Sequence, residues 1–291
     1  MPKSTKPREY PSAYFTLNLN LKSEERKGGI TFKNFILESE LAKKGVQMRG
    51  NTVMYFRRVH NTEIDGVEVI YGLISKNINI EGMPWQDRET AELVNVEIPD
   101  GAVPGLKDLM FVYIPEEHRL LFRSNTSFSP NVVKDFLQRF IAANIHLDRE
   151  YATVTLHQSK DEIEEIKKAR LIKRVEVKIT YTNDDLNKDA AEFMDRYLRD
   201  SNLAEFEMIA RSKGSTKIDP EGTIIKGSLG LASENGYAKV SYVDQNGRNQ
   251  NLNTLDHPEI NRIMIKDDTT SPIQFAFSAV RDFIIKQING R

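Results

Sequence analysis

The chain has no cysteine, which excludes disulfides, thiolate metal sites and a cysteine nucleophile together and fits a reducing compartment. Long apolar runs are missing as well. No stretch approaches the ~20 residues that a membrane span needs, and no apolar segment of signal-peptide type follows the polar, Pro/Lys-rich start. Nucleotide and esterase chemistry lack their loops: neither G-x-x-x-x-G-K-S/T, nor G-x-G-x-x-G, nor G-x-S-x-G occurs, and Gly227, Gly230 and Gly236 do not combine into a phosphate cradle. His60, His118, His146, His157 and His257 are scattered, without H-E-x-x-H or H-x-H spacing, so they read as surface or turn residues rather than zinc ligands. The single tryptophan, Trp85, follows Gly82-Met83-Pro84 and reads as packing for an irregular loop. These absences leave a cytoplasmic protein with no expected cofactor or metal and no membrane insertion.

What is present is charge, unevenly placed. Residues 1–58 carry twelve Lys/Arg against five Asp/Glu, and residues 59–117 carry three against twelve, a split hidden by the total of −1. At 291 residues, 39% of them hydrophobic, the chain can fill one large core or two ordinary ones. No repeat, linker or low-complexity segment divides it.

Alternating Phe15, Leu17, Leu19 and Leu21 predict a strand over Tyr14–Leu21, and Thr31 caps a predicted helix through Phe32, Phe35, Ile36 and Leu41 that stops at Gly45. Two strands follow around the turn pair Asp65-Gly66, and two more around Pro115. Ser129-Pro130 opens a helix with the broad apolar face Val132, Val133, Phe136, Leu137, Phe140 and Ile141. Beyond residue 150 the pattern predicts a charged helix at 160–171 and a strand carrying Val175, Val177, Ile179 and Tyr181. A helix capped by Asn183 or Asp184, a strand at 203–210, a helix at 219–233 and a hairpin turning at Asn246-Gly247 complete it. The fold class expected is therefore α+β, in two closely packed domains. Residues 1–150 form an antiparallel meander with helices, and residues 151–291 a β-α-β-α-β-β layer structure. The last helix, from Ser271-Pro272, is expected to dock on the second domain or to pair with another subunit.

Two basic clusters carry the chemistry. Lys43, Lys44, Arg49, Arg57 and Arg58 surround Tyr55, a residue able to stack, and Lys167, Lys168, Arg170, Lys173, Arg174 and Lys178 face a single acid, Glu176. Several cations converging on a phosphate backbone release counterions, so these residues predict sequence-nonspecific nucleic-acid binding, provided both clusters line one track. A solvated face balanced by Asp161, Glu162, Glu164 and Glu165 is the plainer reading of the second cluster. Glu176 and Lys178 on one strand face also admit a metal-dependent nuclease of the PD-(D/E)xK type, which needs a further carboxylate. The acidic stretch 59–117 admits a third role, as a contact surface for a partner protein.

Residues 231–237 (LASENGY), 244–247 (DQNG) and 253–258 (NTLDHP) resemble the C-terminal signature of an uncharacterised bacterial family, a domain of unknown function numbered four thousand seven hundred and forty-seven. Residues 82–85 (GMPW) and 115–119 (PEEHR) are similar to its N-terminal half. That likeness brings no catalytic residues. Separately, the order of an aromatic strand at Tyr14-Phe15, a Lys-rich turn, a Phe/Leu helix and the aromatic strand ending at Phe56 resembles the N-terminal half of the lambda Rex exclusion protein A. The resemblance implies phage exclusion and sequence-nonspecific DNA binding. The expectation is a homodimer that contacts the DNA backbone and works in antiviral defence, with a second defence protein as a further partner.

Overall fold

The computed structural model describes residues 8–80, 83–97, 99, 102–180, 196, 198, 200–201, 203, 205–213, 216–266 and 270–289. Among these lie six helices and fourteen strands in three sheets, a mixed α+β architecture. Tyr181 and the expected helix beginning at Asn183 or Asp184 lie outside the described residues.

The first sheet is organised by β1 (Glu9–Lys22), longer at both ends than its apolar alternation predicts. One edge of β1 pairs with β8 (Arg119–Arg123). The other is divided between β14 (Asn261–Lys266), opposite residues 9–14, and β9 (Tyr151–Leu156), opposite residues 17–22. Beyond β8 the sheet continues through β7 (Lys107–Ile114), β4 (Val67–Ile78), β3 (Thr52–Ile64) and the two-residue β2 (Val46–Gln47). The β3–β4 hairpin turns on Asp65 and Gly66, both at positive φ (49° and 83°), as a two-residue turn of matching twist requires.

A bulge within this hairpin switches the faces of β3. Arg57 pairs with Leu73 but His60 with Tyr71, so Arg58, at φ 50°, and Val59 share the space opposite Gly72. Met54 and Phe56 therefore face one core, and Ile64 faces the other. A Cβ on Gly72 would come within 2.7 Å of the Arg58 carbonyl oxygen. Gly72→Ala is accordingly expected to cost about 1–3 kcal/mol, read as a lower urea midpoint at unchanged m-value.

Helices cover both faces of this sheet. On one side α3 (Pro130–Ala142) buries Val133, Phe136, Leu137, Phe140 and Ile141; α1 (Gly28–Glu38) adds Phe32 and Ile36, and α2 (Glu40–Lys44) adds Ala42. Ser129 accepts the Val132 amide and caps α3 as the sequence requires. The single early helix expected through Leu41 is broken at Ser39, whose hydroxyl caps α2 by accepting the Leu41 amide. On the opposite side, α6 (Pro272–Asn289) packs Phe275, Ala276, Ala279, Val280 and Phe283 against Tyr14, Val69, Val112, Ile114 and Leu121. The last helix thus docks on the first sheet rather than on the second half of the chain, because its apolar stripe matches the uncovered face of β1, β4, β7 and β8.

The four-stranded sheet has the order β11-β10-β12-β13, formed by β11 (Glu205–Arg211), β10 (Leu171–Thr180), β12 (Gly236–Val243) and β13 (Asn249–Asn253). One face carries Val175, Val177, Ile179 and Val240 into a core shared with α4 (Lys160–Lys167) and α5 (Thr223–Asn235). The other face carries Arg174, Glu176, Lys178, Glu207 and Lys239, with the exposed Ile209 among them. The break between sheets does not follow a division at residue 150, since β9, β14 and α6 all join the first sheet. The sheets meet through polar groups: Thr16, Asn18 and Asn20 lie buried on the back of β1, and the Asn18 amide donates to Asn235 Oδ1 at 2.7 Å. No helix among the described residues is long and apolar enough to cross a membrane.

Candidate nucleic-acid interface

The first basic cluster is dispersed by the fold. Tyr55 and Arg57 point to the α6 side of the sheet, where burial raises the Tyr55 pKa and Arg57 binds Asp108 and the Ser75 hydroxyl. Lys43 and Lys44 sit in the last turn of α2, on the other side, with Lys44 paired to Glu40 at 2.6 Å. Arg58 occupies the bulge and Arg49 the turn before β3, both exposed. Part of the charge split of the sequence is cancelled here: Lys33 pairs with Glu68 and Arg57 with Asp108, each across the boundary between basic and acidic segments, and Arg281 of the last helix takes Asp65.

The two clusters do not share a track. Strands β8, β7 and β4 separate β3 from β1, and β1 and β9 are the strands that border the four-stranded sheet. Four inter-strand steps amount to about 19 Å before that second sheet begins. Within the second cluster, three cations are engaged. Lys167 meets Glu164 at 2.6 Å and Glu221 at 3.9 Å, Arg174 meets Glu176 at 2.6 Å, and Lys178 lies between Glu205 and Glu207. The hydrogen bonds to those two carboxylates raise the Lys178 pKa above the usual lysine range.

Glu176 and Lys178 share the outer face of β10, where Glu176 is held by Arg174 and, at 3.5 Å, by Lys239. The described residues contain no group of three or more His, Asp or Glu placed to hold a metal ion. These side chains form a ladder of alternating ion pairs across β11, β10 and β12.

Folding adds cations that the linear cluster does not contain. Arg211 stands directly opposite Arg174 in the β10–β11 pairing. A bulge between Ile172 and Arg174 frees Lys173, whose ammonium donates to Asn249 Oδ1 at 2.7 Å while its carbonyl accepts the Ser212 amide. The loop after Ser212 brings Lys213 and Lys217 alongside, fixed by the Ile172–Ile218 bridge. On the far side, Arg170 packs beside Gly247 in the turn that also holds Arg248, and the Lys168 carbonyl accepts the Gln245 amide of that turn. Lys168, Arg170, Lys173, Arg211, Lys213, Lys217 and Arg248 are all exposed. None has a carboxylate within 4.0 Å among the described residues.

The acids near this end are placed elsewhere. Asp244 is used inside its turn, accepting the amides of Asn246 and Arg248 and the side chain of Gln250, which together lower its pKa. Asp161, Glu164 and Glu165 line a shallow hollow with Lys168 and Tyr242, bounding the positive surface on the α4 side. Lys168, Arg170, Lys173 and Arg174 were legible as a run; Arg211, Lys213, Lys217 and Arg248 were not. Their signal is cross-strand register, visible only once β11 and β13 are placed.

No curated protein matches the chain. The profile of one family, however, spans nearly all of it, from the first strand to the last helix. The chain belongs to the family described as Domain of unknown function (DUF4747), which matches residues 11–284.

Proposed function

We propose that this protein binds nucleic acid through phosphate contacts made at the basic end of the four-stranded sheet, and that it does so in the cytoplasm as part of phage exclusion or a related antiviral defence. The observation that carries the reading is the convergence there of Arg170, Lys173, Arg211, Lys213 and Lys217, all exposed and without a carboxylate within 4.0 Å among the described residues. The Rex-like order of elements at the N-terminus supports the defence setting. Sequence-independent contact is the expectation for cations that meet phosphate oxygens rather than base edges.

Fluorescence anisotropy with a labelled duplex tests this. Contacts from Arg170, Lys173, Arg211, Lys213 and Lys217 would give log Kobs a slope of about −4 to −5 against log salt, and Arg211→Ala/Lys213→Ala would reduce it by about 2. Arg57→Ala is expected to leave it unchanged, since Asp108 already neutralises Arg57. A salt-indifferent affinity, or a slope that falls with Arg57 and not with Arg211 and Lys213, overturns the assignment.

A further inference from the structure

The shallow hollow beside α4 measures about 440 Å³, within the range of small-ligand sites, and Asp161, Glu164, Glu165 and Asp244 all line it. Two of these four carboxylates are already engaged. Glu164 meets Lys167 at 2.6 Å, and Asp244 accepts the amides of Asn246 and Arg248 within its own turn. Asp161 and Glu165 have neither a cation within 4.0 Å nor a hydrogen-bond donor among the described residues. Asp161 stands in the first turn of α4, where the helix dipole favours a carboxylate, but Glu165 stands in the last turn, where the dipole opposes one. Lys168 follows at the C-cap, exposed at the rim, and its ammonium reaches no carboxylate within 4.0 Å among the described residues.

The floor of the hollow supplies a second, independent feature. Tyr242 is only 6% exposed, its ring lying in the core that contains Ile163 and Ile166 of α4, and it lines the hollow without a hydrogen-bond partner for its hydroxyl among the described residues. A polar group buried to this degree ordinarily has one. Burial raises the Tyr242 pKa, and the charges of Glu165, Glu162 and Asp244 raise it further, so the phenol stays protonated. Its oxygen is then an acceptor surrounded by carboxylates. Such a lining repels anions, and the described residues place no group of three or more His, Asp or Glu to hold a metal ion. The chemistry that matches is a cation bound through N–H donors and charge rather than by coordination. We infer that the hollow binds an organic cation, whose ammonium or guanidinium group pairs with Asp161 and Glu165 and donates to the Tyr242 hydroxyl. This goes beyond the nucleic-acid reading and uses none of the five cations assigned there to phosphate.

Equilibrium dialysis of the full chain against labelled putrescine and labelled N-acetylarginine amide measures the binding directly. At least one of the two should bind saturably at low salt, with a Kd below about 1 mM. Tighter binding of putrescine would identify a free amine as the occupant, and tighter binding of the arginine amide a protein side chain. Asp161→Asn/Glu165→Gln should weaken binding at least about ten-fold. Tyr242→Phe keeps the packed ring and should weaken it about two- to ten-fold, the share of one hydrogen bond. Exposed acids elsewhere provide the control: Glu89→Gln/Glu92→Gln, between β5 (Trp85–Gln86) and β6 (Leu93–Val94), should leave the Kd unchanged. Failure of both probes to bind below about 1 mM overturns the inference, as does an affinity indifferent to Asp161 and Glu165 or equally sensitive to Glu89 and Glu92.

Discussion

Phe136→Ala is expected to remove about 3–5 kcal/mol of stability, the usual cost of emptying a fully buried aromatic site. Phe136 is completely buried, and its ring lies 5.3 Å from Phe56 and 6.1 Å from Phe140. Phe56 in turn meets Phe111 and Phe140 at 5.2 and 5.1 Å. These rings join α3 to β3 and β7, so collapse around the cavity would have to move a helix and two paired strands together. Unfolding free energies are typically 5–15 kcal/mol, and the loss corresponds to a fall in melting temperature on the order of 10 °C. Val132 offers the control. It lies on the same helix but is exposed, and Val132→Ala should change stability by less than about 0.5 kcal/mol. Equal effects at the two positions would mean that α3 is not packed through its phenylalanine face.

Elements whose causes are local were legible in the sequence. The Ser129-Pro130 start of α3, the Asp65-Gly66 turn and the Asn246-Gly247 turn each follow from a few neighbouring residues, and Gly247 indeed takes φ 79°. Failures came where a distant partner decides. β14 reads Asn261-Arg262-Ile263-Met264-Ile265-Lys266, a short alternating segment that becomes a strand because β1 extends far enough to pair with it. β9 was not legible as a strand at all, because its partner residues are more than a hundred positions earlier. The face of α6 was readable but not its destination: a helical stripe states that something covers it, not which sheet.

The candidate site shows the same limit in electrostatic form. Sequence proximity overstated the first cluster, since Arg57 and Lys44 find carboxylates across a hairpin or one helical turn away. It understated the second, because the register of β10 with β11 adds Arg211 to Arg174. Net charge along the chain is thus a poor guide to surface potential where antiparallel strands fold a basic segment onto an acidic one. The informative quantity is which cations remain without a carboxylate after pairing; among the described residues, Arg170, Lys173, Arg211, Lys213, Lys217 and Arg248 are such cations and share one end of the four-stranded sheet.

Glu150→Gln should destabilise the protein by about 2–3 kcal/mol at neutral pH and should flatten its acid titration. The Glu150 side chain is only 4% exposed; it accepts both Nε and Nη2 of Arg26 and the His146 amide, at 2.7 Å and 2.9 Å for the Nε and amide bonds. Arg26 also lies over the Phe35 ring at 5.2 Å, so the pair ties the loop after β1, the helix α1 and the segment entering β9 into one joint. The Arg26 hydrogen bonds lead the interactions that hold the Glu150 pKa down to about 2 from its ordinary 4.5. A carboxylate whose pKa falls on folding stabilises the native state fully above its unfolded value, and loses that contribution as the pH drops through the native one. The wild-type protein should therefore lose stability progressively between pH 4.5 and about 2 through this group. Converting the shift gives somewhat over 3 kcal/mol, and partial solvent access at Arg26, 28% exposed, brings the expectation down to the 2–3 stated. Glutamine keeps the shape and the amide contact but cannot titrate, so the variant should start lower at pH 7 and converge on the wild type near pH 2. Parallel denaturation curves for the two proteins across that interval would show that the Arg26–Glu150 joint does not hold the loop to β9.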